Sequence, residues 1–323
     1  MKEFAVKIKP LTPIWTGDAN RQNTTLRETG IIGSLRWWYE ALIRGLGGTA
    51  CDPTNESPRC KLDHDKFYKA IKNGNSIKDA LDAQICQVCQ LFGCTGWARK
   101  FRLEIVEKLN EEIIFKFIPL REVEDVEWAL LNLTLHLIAD YGAIGGRIVL
   151  KPSDELERQN KPHHQDYGLI SIVDSNLRML PLEQLQKYVK DKRWRNIAHD
   201  SFFWVSIQNF WCVNGRYLSR RSYNESSFNK VLGRNESKNK GSELVNPNDS
   251  VSIWLAGSQH NSKKVFSFKN PPRTFGFINP EITSFEQMKV RLEDVWGSGN
   301  DWRFLKGEEI LNCLVQKLME GLR

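Results

Sequence analysis

The sequence predicts an α+β protein of two tandem ferredoxin-like domains. Three observations carry this reading. Residues 3–9 alternate apolar and basic side chains, as a half-buried strand does. The apolar patterns that follow run helix, strand, strand, helix, strand, which completes a split βαβ order. A chain of 323 residues also has room for about two such units.

In the first strand Phe4, Val6 and Ile8 lie on one side and Lys7 and Lys9 on the other, and Pro10 and Pro13 stop it. After a polar loop through Arg27, Gly30 to Ser34 leads into a helix that runs to about Arg44. Residues 49–65, rich in Cys, Pro, Asn and Asp, read as an irregular insertion. Short helices are expected over 65–72 and 77–85, then strands over 101–107 and 112–119 with Asn110 and Glu111 at the hairpin turn. Residues 126–140 are apolar almost all round, which predicts a buried helix ended by the glycines from Gly142. A strand within 166–174 closes the first round, the order also of RNA-recognition (RRM-like) domains. A fainter second round is expected, with strands near 202–213, 251–256 and 264–268, a helix around 284–295 and a terminal helix at 307–320. The polar stretch 234–249 reads as mobile. These patterns divide the chain into domains 1–175 and 176–323.

Composition narrows the function. At 41% hydrophobic and 26% charged residues the chain is an ordinary globular one. No run reaches the ~18 uninterrupted apolar residues that a membrane helix needs. Lys7 and Lys9 break up any signal-peptide core, so a cytoplasmic protein is expected. Seven cysteines then read as reduced thiols or metal ligands, not as a disulfide framework. The net charge is +7, and between Lys192 and Lys240 ten Lys or Arg stand against Asp200, Glu225 and Glu236, a local balance of +7. Such an excess suits a polyanionic partner.

Five motifs can carry chemistry. In the helix over 34–45, Leu35, Trp38, Tyr39, Leu42 and Ile43 share the core side at 100° per residue. Arg36, Trp37, Glu40 and Arg44 share the opposite one. Arginine pairs with phosphate and an exposed indole stacks on an unpaired base, so this face is a candidate RNA surface. The bland alternative is Trp37 under a neighbouring loop and solvated arginines. Lys100 and Arg102 continue the basic, aromatic pattern of Gly96–Arg102, which also suits a charged edge strand. The glycine run Gly142–Gly146, followed by Arg147, lacks the ending of a nucleotide-binding P-loop and follows its helix; close approach of backbone to RNA competes with a plain C-cap. Cys86 and Cys89 have the two-residue spacing of a zinc knuckle, and Cys51 and Cys60 in the insertion complete a four-thiolate set. Cys94 and His64 are alternative ligands, and four reduced thiols are the plain alternative. His163 and His164 could serve as a ribonuclease base, but no partner acid is placed by spacing.

Together Leu11–Gly17, Gly33-Ser-Leu-Arg-Trp-Trp, Cys86-x-x-Cys89-x-Leu-Phe-Gly93 with Gly96-Trp97, and Gly142–Gly146 resemble the RAMP superfamily of CRISPR systems. The pattern is similar in particular to the head-end RAMP subunit of type III-B (Cmr) effector complexes. The motifs cover about 170 residues of the first domain. The resemblance implies two ferredoxin-like domains in contact with other RAMP subunits, the 3′ part of the guide RNA and the target RNA. It implies RNA contact at Arg36, Trp37, Trp38, Arg44 and Arg147, and no catalysis by this subunit. Apolar Ile148, Val149 and Leu150 replace the arginines that often follow the family's glycine loop. A non-catalytic RNA binder is the expectation, and a metal-independent RAMP-type endoribonuclease acting on CRISPR RNA is the alternative.

Overall fold

Strand β1 (Phe4–Pro10) sits in the middle of the first sheet, and its alternation decides which way that sheet faces. In the computed structural model the described residues are all but 1–2, 18–21, 54, 57–58, 108–110, 147–151, 160, 196, 198–201, 258–261, 300 and 322–323. After β1 come α1 (Glu28–Gly45), α2 (His64–Lys72), α3 (Ile77–Asp82), α4 (Gln87–Phe92), β2 (Phe101–Glu107), β3 (Ile113–Pro119), α5 (Asp125–Tyr141) and β4 (Ile170–Ser175). The sheet order is β2-β3-β1-β4 with antiparallel neighbours, the ferredoxin-like arrangement. Val6 pairs with Phe115 and Leu103 with Phe117, and all four side chains are buried. Lys7 and Lys116 point to the other face. Glu111 takes φ 61° at the β2–β3 turn, as the hairpin reading requires.

The second half repeats the design. It holds α6 (Leu182–Val189), β5 (Phe210–Asn214), α7 (Ser227–Val231), α8 (Ser250–Ala256), β6 (Val265–Lys269), β7 (Pro272–Phe277), α9 (Phe285–Trp296), β8 (Leu305–Lys306) and α10 (Gly307–Glu320). Its order β6-β7-β5-β8 is the first sheet's order with β5 standing for β1, again all antiparallel. Three sequence expectations fail here: of the strand near 202–213 only Phe210–Asn214 forms β5, behind a tight helical turn at Ile207–Asn209. Residues 251–256 form helix α8, not a strand, because Asp249 accepts from the N–H groups of Val251 and Ser252 and nucleates the first turn. Strand β7 escaped notice because its neighbouring prolines read as loop. The stretch 234–249 is also not loose. Arg234 donates to the carbonyls of Ala256 and Gly257 at 2.9 and 3.0 Å, and Arg220 donates to Glu236 O at 2.8 Å.

The two sheets share one core. Helices α1 and α5 lie against the apolar face of the first sheet, where Trp128 meets Phe4 and Phe117. Their far side meets the second sheet. Trp38 packs on Phe210 and Phe275, and Arg273 of β7 donates to the carbonyls of Gly142 and Ala139 at 2.8 and 3.0 Å. Alternation in β5 divides its side chains accordingly. Phe210 and Cys212 join this core, while Trp211 and Val213 enter a smaller one with Phe228, Met288 and Leu292. A helix pair held between two sheets has no free side, which is why 126–140 is apolar almost all round. Among the described residues no helix is long and apolar enough to cross a membrane.

Candidate functional site

Two constellations flank α1. The first is the cysteine centre. Cys86 stands at the N-cap of α4 and Cys89 one turn on, so both thiols reach the same side. Cys51 and Cys60 come from the insertion. The four sulfurs lie within 4.8 Å of one another, and the residues are 0–2% exposed. A tetrahedral ion with Zn–S bonds of about 2.3 Å sets S–S edges of about 3.8 Å. The Cys51–Cys89 and Cys86–Cys51 separations, 3.4 and 3.9 Å, bracket that edge. The residues fit a soft divalent ion.

Three N–H groups face these sulfurs. Arg36 Nη2 donates to Cys89 Sγ at 3.2 Å, Arg195 Nη1 to Cys60 Sγ at 3.1 Å, and the Cys86 backbone N–H to Cys60 Sγ at 3.2 Å. Hydrogen bonds from the other thiols, Cys60 foremost, hold Cys51 far below the ordinary thiol range. Its thiolate in turn pushes the Cys89 thiol up. Burial pushes Glu40 up to about 7 against the pull of Arg36, which it accepts from at 2.8 Å. Cys94 and His64, the alternative ligands, are not among the four.

The second constellation is a cleft. A cavity of about 410 Å³ opens between the N-terminal half of α1, the glycine loop 142–146 and the second sheet; Gly33, Ser34, Trp37, Gly145, Lys263 and Phe266 are among its walls. The loop is pinned from four directions. Ser34 Oγ accepts from the Gly145 N–H at 3.0 Å, and Trp15 O from the Gly146 N–H at 2.7 Å. The Trp38 indole donates to Ala143 O at 2.9 Å, and Arg273 grips Gly142. Gly145 has φ +115°, and a Cβ there would lie 2.6 Å from Trp15 O, so both conformation and space demand glycine. A Cβ at Gly33 would meet nothing within 4 Å, because that position faces the cavity. Apolar walls, a backbone rim and one ammonium suit a flat base joined to a phosphate.

The structure corrects the solvent-face reading of α1. Arg36 is half-buried, held by Glu40, by Gly93 O at 2.8 Å and by Cys89. Arg44 donates to Val205 O at 3.3 Å and Ala50 O at 3.1 Å. The insertion and the second sheet cover this side, which helical periodicity alone cannot register. Trp37 stands edge-on to Phe277 with ring centroids 5.5 Å apart, yet reaches the cleft. Trp38 is 2% exposed, as the periodicity requires, and it forms part of the cleft wall. Lys100 is tied to buried Glu127 at 2.8 Å, and exposed Arg102 pairs with Glu104. Arg147 lies outside the described residues. Sequence reasoning missed Arg195, Lys263 and Phe266, which reach these sites only through the fold of the second half. No motif marks them.

Two four-stranded antiparallel sheets in the same strand order, with a glycine loop set against α1, define a tandem ferredoxin-like architecture. Residues 7–149, from β1 through the glycine loop, match the family model of the RAMP superfamily. Among solved structures, the crystal structure of apo Cmr1 from Pyrococcus furiosus is similar over 95% of this chain and 100% of that one, at 12% identity and a TM-score of 0.43. No curated protein matches the sequence significantly.

Proposed function

We propose that this chain is a non-catalytic RNA-binding subunit of a type III-B CRISPR effector complex, working in the cytoplasm beside other RAMP subunits. Its ligand is the 3′ region of the guide RNA, the target RNA, or both. The cleft carries this reading. It sets a glycine-lined backbone rim and the aromatic side chains of Trp37 and Phe266 around a cavity of about 410 Å³, room enough for a base and its phosphate. The RAMP-superfamily segment supports it, since that segment supplies both α1 and the glycine loop.

The test is anisotropy of a labelled single-stranded RNA across a salt series. Phe266→Ala should weaken binding by roughly 1–3 kcal/mol without altering the salt slope, as stacking does. Lys263→Gln should flatten the slope by about 0.7, the share of one phosphate on a single strand. Unchanged affinity in both variants removes the cleft from the site. Incubation with repeat RNA in a chelator should leave the RNA whole. A discrete cut that disappears in His163→Ala or His164→Ala would instead favour the endoribonuclease.

The cysteine centre is read as a structural zinc site. The donor set is all sulfur and closed, with no side open for a reacting group. The insertion has too little apolar surface to order itself, so a bound ion would supply that order. Elemental analysis of the purified protein should return about one zinc per chain.

A further inference from the structure

A zinc ion on four thiolates carries a net charge of −2. Sunk among residues 0–2% exposed, such a dianion is costly unless cations answer it directly. Two guanidiniums do so, each on a different sulfur: Arg36 on Cys89 at 3.2 Å and Arg195 on Cys60 at 3.1 Å. Each is aimed by further bonds. Arg36 is held at Nε by Glu40 and at Nη1 by Gly93 O, which leaves Nη2 for sulfur. Arg195 shares Nη1 between Cys60 and Arg59 O at 3.3 Å. The two come from the middle of α1 and from the segment that leads to the second sheet, far apart in the chain.

Resting on the zinc reading above, we propose that Arg36 and Arg195 are outer-sphere positioning residues of the metal centre. They hold Cys89 and Cys60 as oriented thiolates, neutralise the tetrathiolate ion and retain the metal. The site thereby joins four segments: the insertion, α4, the cleft helix α1 and the connection to the second half. Donors in a metal's outer shell typically change affinity by 10–100-fold. Arg59, whose guanidinium pairs with exposed Glu56 and touches no sulfur in this way, is the natural control.

The experiment uses the full-length protein, loaded with Zn²⁺ or with Co²⁺ as a spectroscopic probe. Release of metal to a chelating dye is timed for wild type, Arg36→Gln, Arg195→Gln, Arg195→Lys and Arg59→Gln. Release should quicken at least tenfold in the two glutamine variants, recover in part in Arg195→Lys and stay at the wild-type rate in Arg59→Gln. The sulfur-to-cobalt charge-transfer band should move to lower energy in the glutamine variants. Loss of an N–H donor raises the sulfur lone pairs, which a merely structural change would not do. Should Arg36→Gln fail to fold, Arg195→Gln and its lysine counterpart decide. One zinc in wild type, with release and band position in Arg195→Gln indistinguishable from Arg59→Gln, overturns the arginine assignment and leaves the zinc site standing. A wild type that holds no zinc and gives no cobalt band overturns the zinc reading itself.

Discussion

The two flanks of α1 are built from opposite materials. On one, Arg36 and Glu40 are sealed under an insertion that has few apolar residues and is organised by four sulfurs. On the other, Gly33, Ser34 and Trp37 face an open cavity whose walls are glycine backbone and aromatic rings. The closed flank spends its charged groups on its own cohesion, and the open flank leaves its flat and flexible groups for a ligand. Arginine beside tryptophan in a sequence therefore does not by itself mark a nucleic-acid surface. Here the arginine serves the cysteines and the neighbouring tryptophan reaches the cleft.

The strongest way to break this contrast is to dismantle the closed flank. Cys86→Ser should cost the metal, lower the melting temperature by many degrees and open residues 49–65 to protease, while chelation of wild type reproduces the effect. An unaltered melting temperature in both would mean that the insertion stands without an ion. Next in size is Trp38→Ala, at the seam between the two halves. Truncating so large a buried ring should cost about 3–5 kcal/mol of unfolding free energy, read from denaturant midpoints. A loss below about 1 kcal/mol would say that the second sheet docks elsewhere.

Smaller effects separate the flanks by readout. Trp37→Ala should weaken single-stranded RNA binding by roughly 1–3 kcal/mol at an unchanged salt slope. Arg44→Ala, whose guanidinium already serves Val205 and Ala50, should leave that slope alone and lower stability. A flattened slope in Arg44→Ala would move the RNA path onto the far side of the helix. A pH dependence on the closed flank gives a separate readout. Glu40 is pushed from 4.5 to about 7 by burial, so its folded form favours the proton more than its unfolded form does. Its contribution is fully present below about pH 4.5 and is lost as pH rises through 7, with a slope of at most ~1.4 kcal/mol per pH unit. Glu40→Gln should remove that loss, and stability curves of equal slope in both proteins would reject it.

Legibility differed between the halves for physical reasons. The first half was readable because β1, β3 and α1 bury one face or stripe at the period of their secondary structure, so Val6, Ile8, Leu35, Trp38 and Tyr39 announce themselves. In the second half the signals were local and conflicting. Val251, Ile253 and Trp254 favour a strand by type, yet the Asp249 cap and the core beneath α8 make a helix of them. Ten basic residues between 192 and 240 suggested an exposed polyanion surface. Several instead bind their own chain's carbonyls and carboxylates, as Arg220, Arg221 and Arg234 do.

By itself the sequence determined what depends on neighbours in the chain: the alternating strands, the stripe of α1, the end of α5 at Gly142, and the Cys86–Cys89 pair one helical turn apart. Tertiary structure decided everything that needs distant segments to meet. It put Arg195 on Cys60, Phe266 and Lys263 around the cleft, Arg273 on the glycine loop, and the second sheet over α1. Covalent neighbours fix period and reach, but charge compensation and exposure depend on what folds against a residue from afar.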